Sequence, residues 1–128
     1  YDERIREIIK PREISIGDFV LTGGELAALC VIDCVSRKLE GVLGKIESAD
    51  CDSFEEGLLE YPQYTKPQDY KGEKIPDVLA SGNHENIRKW RKQQSLVMTR
   101  EKRKDLFDAY VLTEEDKKLL KEYDNKNE

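Results

Sequence analysis

The chain has 128 residues, a mass of 14.9 kDa, a formal net charge of −5 and a mean hydropathy of −0.75. This length suits one ordinary domain or two very small ones, and equal shares of 38% hydrophobic and 38% charged residues predict a modest core. The acidic balance excludes a uniformly basic coat for nucleic acid, and no apolar run approaches the ~20 residues that cross a membrane. The only methionine is Met98, so we interpret Tyr1 as a cut point or the first residue of a fragment.

The first third of the chain predicts two helices around one strand. Isoleucines recur at helical spacing over residues 2–9, and Pro11 ends that helix. Residues 14–21 (ISIGDFVL) are rich in β-branched and aromatic side chains and predict a short strand, followed by a tight loop at 22–24. The helix predicted over 25–38 is apolar almost all round, which indicates burial on several sides within a larger α/β body.

The remainder of the chain predicts a linker and then helices. Residues 44–56 lack periodicity and are rich in small and acidic residues, as in a flexible linker. An irregular segment with three prolines and three tyrosines follows over 58–76. Cap residues and apolar spacing then predict helices over 84–94 and 100–109, and a third from Thr113 that frays after residue 123.

The three cysteines, Cys30, Cys34 and Cys51, are an odd number. Helical spacing places Cys30 and Cys34 on one face, and a single histidine in the chain gives little support to a four-ligand zinc site. We therefore predict no metal, and we interpret the cysteines as buried free thiols of a cytoplasmic protein.

Positive charge is concentrated in one region of this acidic chain. Residues 82–105 hold 8 basic and 3 acidic side chains, whereas residues 46–81 hold 3 basic and 9 acidic ones. Such a run is either a solvated helix face or a surface for a phosphate backbone, and the acidic flanks favour the second interpretation. The candidate phosphate-binding residues are Arg88, Arg91, Lys92, Arg100 and Arg103.

A strand that runs through paired glycines into a helix leaves backbone amides and carbonyls open to a ligand. Gly23 and Gly24 occupy that position here. On spacing alone an ordinary turn is the more common explanation, so the identity of the surrounding residues matters.

Several longer motifs occur in one order along the chain: ISIGDFVLTGGEL, VSR, GVLG, DSF, GLLEYPQYT, SGNH and IRKWR–QSL. Together they resemble the bacterial tRNA (guanine-N1)-methyltransferases, from Asp2 to about Leu120. The resemblance implies a homodimer of the knotted SPOUT class that uses S-adenosylmethionine and shares its active site between subunits. It implies methyl transfer to N1 of the guanine immediately 3′ of the anticodon in tRNA.

The same resemblance implies an α/β fold followed by a small all-helical domain. Residues 1–43 correspond to the C-terminal part of the knotted methyltransferase domain, 44–56 to the interdomain linker and 57–128 to the tRNA-binding domain. The fragment itself is expected to be mainly α-helical and inactive alone, because it resembles only the C-terminal half of the enzyme. The alternative is a module that docks tRNA and dimerises without catalysis.

The segment ISIGDFVL resembles the knot loop that wraps the cofactor. The cofactor-binding residues implied by the resemblance are Ile16, Gly17, Asp18, Phe19, Val20, Leu21, Gly23 and Gly24. Arg37 resembles the catalytic arginine, and Asp52 resembles the general base that is contributed across the dimer interface. Ala27 departs from the family, which usually has proline there.

Losing the N1 proton of guanine pushes negative charge onto O6, so a carboxylate and a guanidinium are suitable groups. Without the resemblance, a helix-cap or solvated linker acid is the preferred interpretation of Asp52. The only histidine, His84, lies at a predicted helix start and suits capping or tRNA contact better than proton transfer. Trp90 shares a helical face with Ile87, which favours a core position over stacking on a base.

Overall fold

The computed structural model describes residues 2–42 and 53–127, and the chain divides into two compact units, residues 1–44 and 45–128. The first unit contains α1 (Arg4–Ile9) and α2 (Glu25–Ser36). The second contains β1 (Asp69–Tyr70), β2 (Glu73–Lys74), α3 (Asp77–Ala80), α4 (His84–Lys102), α5 (Lys104–Ala109) and α6 (Glu114–Asn127). The described chain is therefore mainly helical, as predicted. No helix within the described ranges is long and apolar enough to cross a membrane.

The two helices predicted in the first unit are present, but the predicted strand over 14–21 is wrong. A strand needs a neighbour with which its backbone groups can pair, and no segment within residues 2–42 provides one. The prediction for α2 is burial within a larger α/β body; in this unit its apolar side chains are exposed, with Leu26 and Ile32 each at 60%. Cys30 and Cys34 on the same helix are free thiols that are exposed rather than buried.

The second unit is built around α4, the longest helix. Leu58, Leu96, Val97 and Leu120 form its buried cluster, and partly buried side chains of α5, α6 and the loop between them pack against it. Residues 95–99 of α4 are among the most buried in the unit, and the helix passes through them without interruption. The predicted break between two helices is wrong, because tertiary packing stabilises this stretch despite its weaker helical propensity.

Both predicted caps in this unit are present. The Asn83 side chain accepts a hydrogen bond from the Asn86 backbone amide at 3.1 Å, which starts α4. Thr113 and Asp116 exchange reciprocal bonds, with the Asp116 amide donating to Thr113 Oγ1 and the Thr113 amide donating to Asp116 Oδ2. This pair forms a capping box before α6. The helix runs to Asn127.

The strands β1 and β2 form an antiparallel hairpin joined by a two-residue turn, with Asp69 opposite Lys74 and Tyr70 opposite Glu73. Its turn places Lys71 at φ 56° and Gly72 at φ 93°, as a primed turn requires. Asp69 Oδ1 accepts a hydrogen bond from the Gly72 amide at 2.9 Å. The expectation of an all-helical second domain is therefore corrected to helices with one short hairpin.

The predicted linker, residues 44–56, falls largely on residues outside the described ranges. Its last four residues, 53–56, are described and form a turn. The Phe54 amide donates to the Leu58 carbonyl at 2.8 Å, and the Gly57 amide donates to the Phe54 carbonyl at 3.3 Å. This turn leads directly into the segment that packs against α4.

Candidate nucleic-acid interface and cofactor loop

Residues that recur at spacings of three and four along α4, from His84 to Ser95, form one stripe on the helix surface. This stripe lines a cavity of about 610 Å³. The opposite side of the cavity is formed by the chain that precedes the hairpin. The lining residues are Glu56, Leu58, Leu59, Tyr61, His84, Ile87, Arg88, Arg91, Lys92 and Ser95. The cavity therefore combines apolar, aromatic and cationic groups.

A buried threonine attaches the preceding chain to α4. Thr99 is fully buried, and its hydroxyl accepts a hydrogen bond from the Leu59 amide at 2.8 Å. The same hydroxyl donates to the Ser95 carbonyl one turn earlier in α4, at 2.6 Å. The Glu60 amide donates in turn to Ser53 Oγ at 2.9 Å. These bonds fix the backbone from which Leu59 enters the cavity.

Arg91 is held by an aromatic ring. Its guanidinium carbon lies 4.8 Å from the centroid of the Tyr61 ring, which is within the range of a cation–π interaction. Within the described part of the chain it has no carboxylate partner at ion-pair distance. Its positive charge is therefore not paired with any acidic side chain among residues 53–127.

Lys92 and Arg88 also line the cavity, but acidic groups lie beside them. Lys92 Nζ donates to the Tyr110 hydroxyl at 3.0 Å and lies 3.6 Å from a carboxylate oxygen of Glu56. Burial disfavours its charged form, but the bond to Tyr110 and the nearby acidic groups outweigh burial and raise the pKa of Lys92. Arg88 bonds to two carboxylates, those of Glu85 and Glu115.

Arg88 Nη2 donates to Glu85 at 3.0 Å and to Glu115 of α6 at 2.7 Å. The hydrogen bond from Arg88, and secondarily that from Lys89, lowers the pKa of Glu85 from 4.5 to about 2. The same two carboxylates raise the pKa of Arg88. This exposed network connects the N-terminal turns of α4 and α6.

The structure brings together three of the five predicted phosphate-binding residues, and the other two do not line the cavity. Arg100 makes two hydrogen bonds to the Asp124 carboxylate, at 3.1 and 2.8 Å, and the pair lowers the pKa of Asp124. Arg103 binds Asp105 in the same way, at 2.9 and 2.7 Å, and this bond lowers the pKa of Asp105 to about 2.

A second cavity, of about 200 Å³, adjoins the first along α4 and shares Tyr61, Ile87 and Arg91 with it. Trp90 lines this smaller cavity, half-buried, with its ring centroid 6.4 Å from that of Tyr64. The sequence interpretation missed Tyr61 as a partner of the basic residues. The signal available was the run of tyrosines in GLLEYPQYT, which predicted only that aromatic side chains pack somewhere.

In the first unit, the segment that resembles the cofactor loop is an exposed loop. Gly17 has φ 153°, a backbone conformation that strains any other residue, and a Cβ atom built there would lie 2.4 Å from the Phe19 ring. Val20 is 98% exposed, whereas Leu21 is half-buried. The remaining candidates in this loop, Ile16, Asp18, Gly23 and Gly24, are all exposed.

Of the two candidate catalytic residues, Arg37 and Asp52, the structure describes only Arg37. Arg37 follows the last residue of α2, and its backbone amide donates to the Asp33 carbonyl at 3.1 Å. Asp52 lies outside the described residues. No cluster of three or more potential metal ligands occurs among residues 2–42 and 53–127.

Comparison with known proteins identifies the family. The chain is 58% identical over 125 residues to the tRNA (guanine-N(1)-)-methyltransferase of Clostridium botulinum (strain Loch Maree / Type A3), an alignment that covers 98% of the chain and 52% of the relative. It is also 58% identical to the proteins of the same name from Halalkalibacterium halodurans, over 94% of the chain and 49% of the relative, and Bacillus licheniformis, over 98% and 52%. The chain thus spans about half the length of these curated relatives. The family described as tRNA (Guanine-1)-methyltransferase TrmD matches residues 1–109, and the chain belongs to this family.

Proposed function

We propose that the protein transfers a methyl group from S-adenosylmethionine to N1 of the guanine immediately 3′ of the anticodon in tRNA. The observation that carries this proposal is the family match over residues 1–109, together with relatives 58% identical whose name is tRNA (guanine-N(1)-)-methyltransferase. In this proposal, residues 1–43 belong to a knotted SPOUT α/β domain, 44–56 are a flexible interdomain linker, and 57–128 bind tRNA. The protein acts as a cytoplasmic homodimer with a shared active site.

The loop over residues 14–24 suits the adenosine portion of the cofactor. Its residues are exposed apart from the half-buried Leu21, and the backbone of Gly17, at φ 153°, favours glycine. In the proposed complex, backbone groups of Ile16, Gly17 and Leu21 contact the adenine, and Gly23 and Gly24 permit close approach. S-adenosylmethionine, when bound, supplies an electrophilic methyl group on sulfur.

Asp52 and Arg37 have the chemistry that the reaction needs on the guanine. In this mechanism, the Asp52 carboxylate would accept the N1 proton, and N1 would take the methyl group as the bond from that group to the cofactor sulfur breaks. The Arg37 guanidinium stabilises the negative charge that this proton loss places on O6. An ordinary aspartate is a weak base at neutral pH, so position and partial desolvation have to support the proton transfer.

Arg88, Arg91 and Lys92 are proposed to contact tRNA phosphates, with Arg100 and Arg103 as further contacts. The support is a single stripe of α4 that carries three cations beside one cavity. Arg100 and Arg103 have weaker support, because each is already bound by two hydrogen bonds to one carboxylate.

The alternative function is a module that docks tRNA and dimerises without catalysis. One observation favours it for the chain alone: within residues 2–42 no side chain is fully buried. A cofactor site needs walls that exclude water, and an exposed loop beside an exposed helix gives only part of such walls.

Methyl transfer from radiolabelled S-adenosylmethionine to tRNA transcripts tests the proposal. In the protein at its full length, Asp52→Ala should strongly lower the transfer rate and leave cofactor affinity nearly intact, whereas Asp50→Ala serves as the matched control. An equal loss of rate and cofactor affinity would recast Asp52 as structural. The 128-residue chain, assayed alongside, supports the alternative function if it binds tRNA and transfers no methyl group.

A further inference from the structure

The larger cavity on α4 has two kinds of lining. Leu58, Leu59 and Ile87 provide apolar surface, with Leu58 only 5% exposed. Arg88, Arg91 and Lys92 provide positive charge beside that surface. A flat solvated face would hold the cations without a concavity behind them. A volume of about 610 Å³ lies within the usual range for sites that enclose a small organic group.

The Arg91–Tyr61 stack lies where the two cavities meet, since both residues line both cavities. Tyr61 is half-buried and Arg91 is exposed. Aromatic rings and guanidinium planes are the surfaces on which unstacked nucleic-acid bases pack, and the affinity gained does not depend on sequence. The stack therefore gives the cavity a planar element in addition to its charge.

We propose that this cavity binds one unstacked nucleotide, with its base against the apolar residues and Tyr61 and its phosphate at Arg91. This inference rests on the proposed function and narrows it from phosphate contact along a helix to enclosure of a single base. Arg91 is the principal phosphate ligand because no described carboxylate competes for it, unlike Arg88 and Lys92. Glu56, on the cavity lining beside Lys92, limits the negative charge that the site accepts.

The base with its phosphate can come from a loop of RNA or from a free nucleotide, and titrations of the full 128-residue chain separate the two sources. The probes are an RNA hairpin with an unpaired loop, its fully paired duplex, and guanosine and adenosine monophosphates. Methyl NMR resonances of Leu58, Leu59 and Ile87 report on the cavity, and those of the buried core residue Val97 serve as the reference. We expect the hairpin to shift the cavity resonances and the duplex to leave them in place.

Three variants separate base enclosure from charge. Ile87→Trp fills the cavity and retains every cation, and should weaken hairpin binding about tenfold. Arg91 is exposed, so Arg91→Lys should not disturb folding. This variant retains the positive charge but removes the planar guanidinium, and it should also weaken hairpin binding. Lys89→Gln removes a neighbouring cation that does not line the cavity, and is the matched control.

The outcomes distinguish this inference from the proposed function. Hairpin-dependent shifts at the cavity, with weak binding of both monophosphates, support a nucleotide within RNA, and tight binding of a monophosphate alone supports a free nucleotide. Salt-sensitive hairpin binding without cavity shifts, unaffected by Ile87→Trp and Arg91→Lys, overturns the enclosed nucleotide and leaves tRNA docking intact. Absence of hairpin and monophosphate binding overturns the enclosed nucleotide and the tRNA-binding role of residues 57–128, whereas methyl transfer by the protein at its full length is measured separately.

Discussion

Replacing Thr99 with valine tests whether one buried hydroxyl holds the cavity wall on α4. The side chain is 0% exposed and valine has nearly the same shape, so the substitution removes the hydroxyl and leaves little empty space. Two hydrogen bonds are lost: the one accepted from the Leu59 amide at 2.8 Å and the one donated to the Ser95 carbonyl at 2.6 Å.

The loss of these two hydrogen bonds does not cost the same free energy. The Ser95 carbonyl lies inside α4, where the helix supplies its own donor four residues later, so it stays bonded. The Leu59 amide has no such alternative at its part-buried position and becomes an unsatisfied donor. A buried unpaired amide costs roughly 1–3 kcal/mol, so we expect Thr99→Val to lower the free energy of unfolding by about 2 kcal/mol.

Urea unfolding followed by circular dichroism measures this change, because the midpoint falls while the slope with denaturant stays the same. Thr99→Ser is the control: it retains the hydroxyl and loses one buried methyl group, at a cost of about 1 kcal/mol. If Thr99→Val were as stable as the wild type, or if Thr99→Ser lost more stability than Thr99→Val, the hydrogen bond to the Leu59 amide would not be the main contribution of Thr99 to the free energy of unfolding.

Three further predictions follow from the charges and the exposed loop. Glu85 has its pKa lowered from 4.5 to about 2 by Arg88 and then Lys89, so the stability from this pair is present above pH 4.5 and is lost as the pH falls toward 2. Glu85→Gln should therefore flatten the acid limb of a stability–pH profile, and an unchanged profile would contradict the pairing. Changing Arg91 and Lys92 together to alanine should reduce the salt dependence of tRNA binding by roughly one unit of slope per lost phosphate contact, whereas a slope equal to wild type would place the contacts elsewhere. The 128-residue chain should bind S-adenosylmethionine weakly or not at all by calorimetry, and micromolar affinity would show that the exposed loop is sufficient.

Local signals in the sequence predicted the second unit better than the first. Asn83 and Thr113 cap their helices as predicted, because a cap depends on residues within one turn of the chain. The segment 14–21 has strand-like composition, but pairing depends on a neighbour elsewhere in the chain, and none is present in residues 2–42. The hairpin was missed because Lys71 is an uncommon residue for a left-handed turn position.

The candidate interface was predictable in position but not in detail. Helical spacing alone placed Arg88 and Lys92 on one side of a helix, as the structure has them. Two of the carboxylates that neutralise the basic region lie far along the chain, with Glu115 27 residues from Arg88 and Asp124 24 residues from Arg100. Packing of α6 against α4 brings them together, and periodicity within one helix contains no information about that packing.

These internal ion pairs determine how much of the basic region is available to a phosphate. A phosphate that approaches Arg100 or Arg103 has to displace a carboxylate held by two hydrogen bonds, so one anion replaces another and little electrostatic energy is gained. Arg88 shares two carboxylates and faces the same exchange. Arg91 stacks on the neutral ring of Tyr61, so a phosphate adds an anion to it without removing one. A count of basic residues in the sequence therefore overstates the attraction for tRNA, and the contribution per residue should be greatest where an aromatic ring takes the place of a carboxylate.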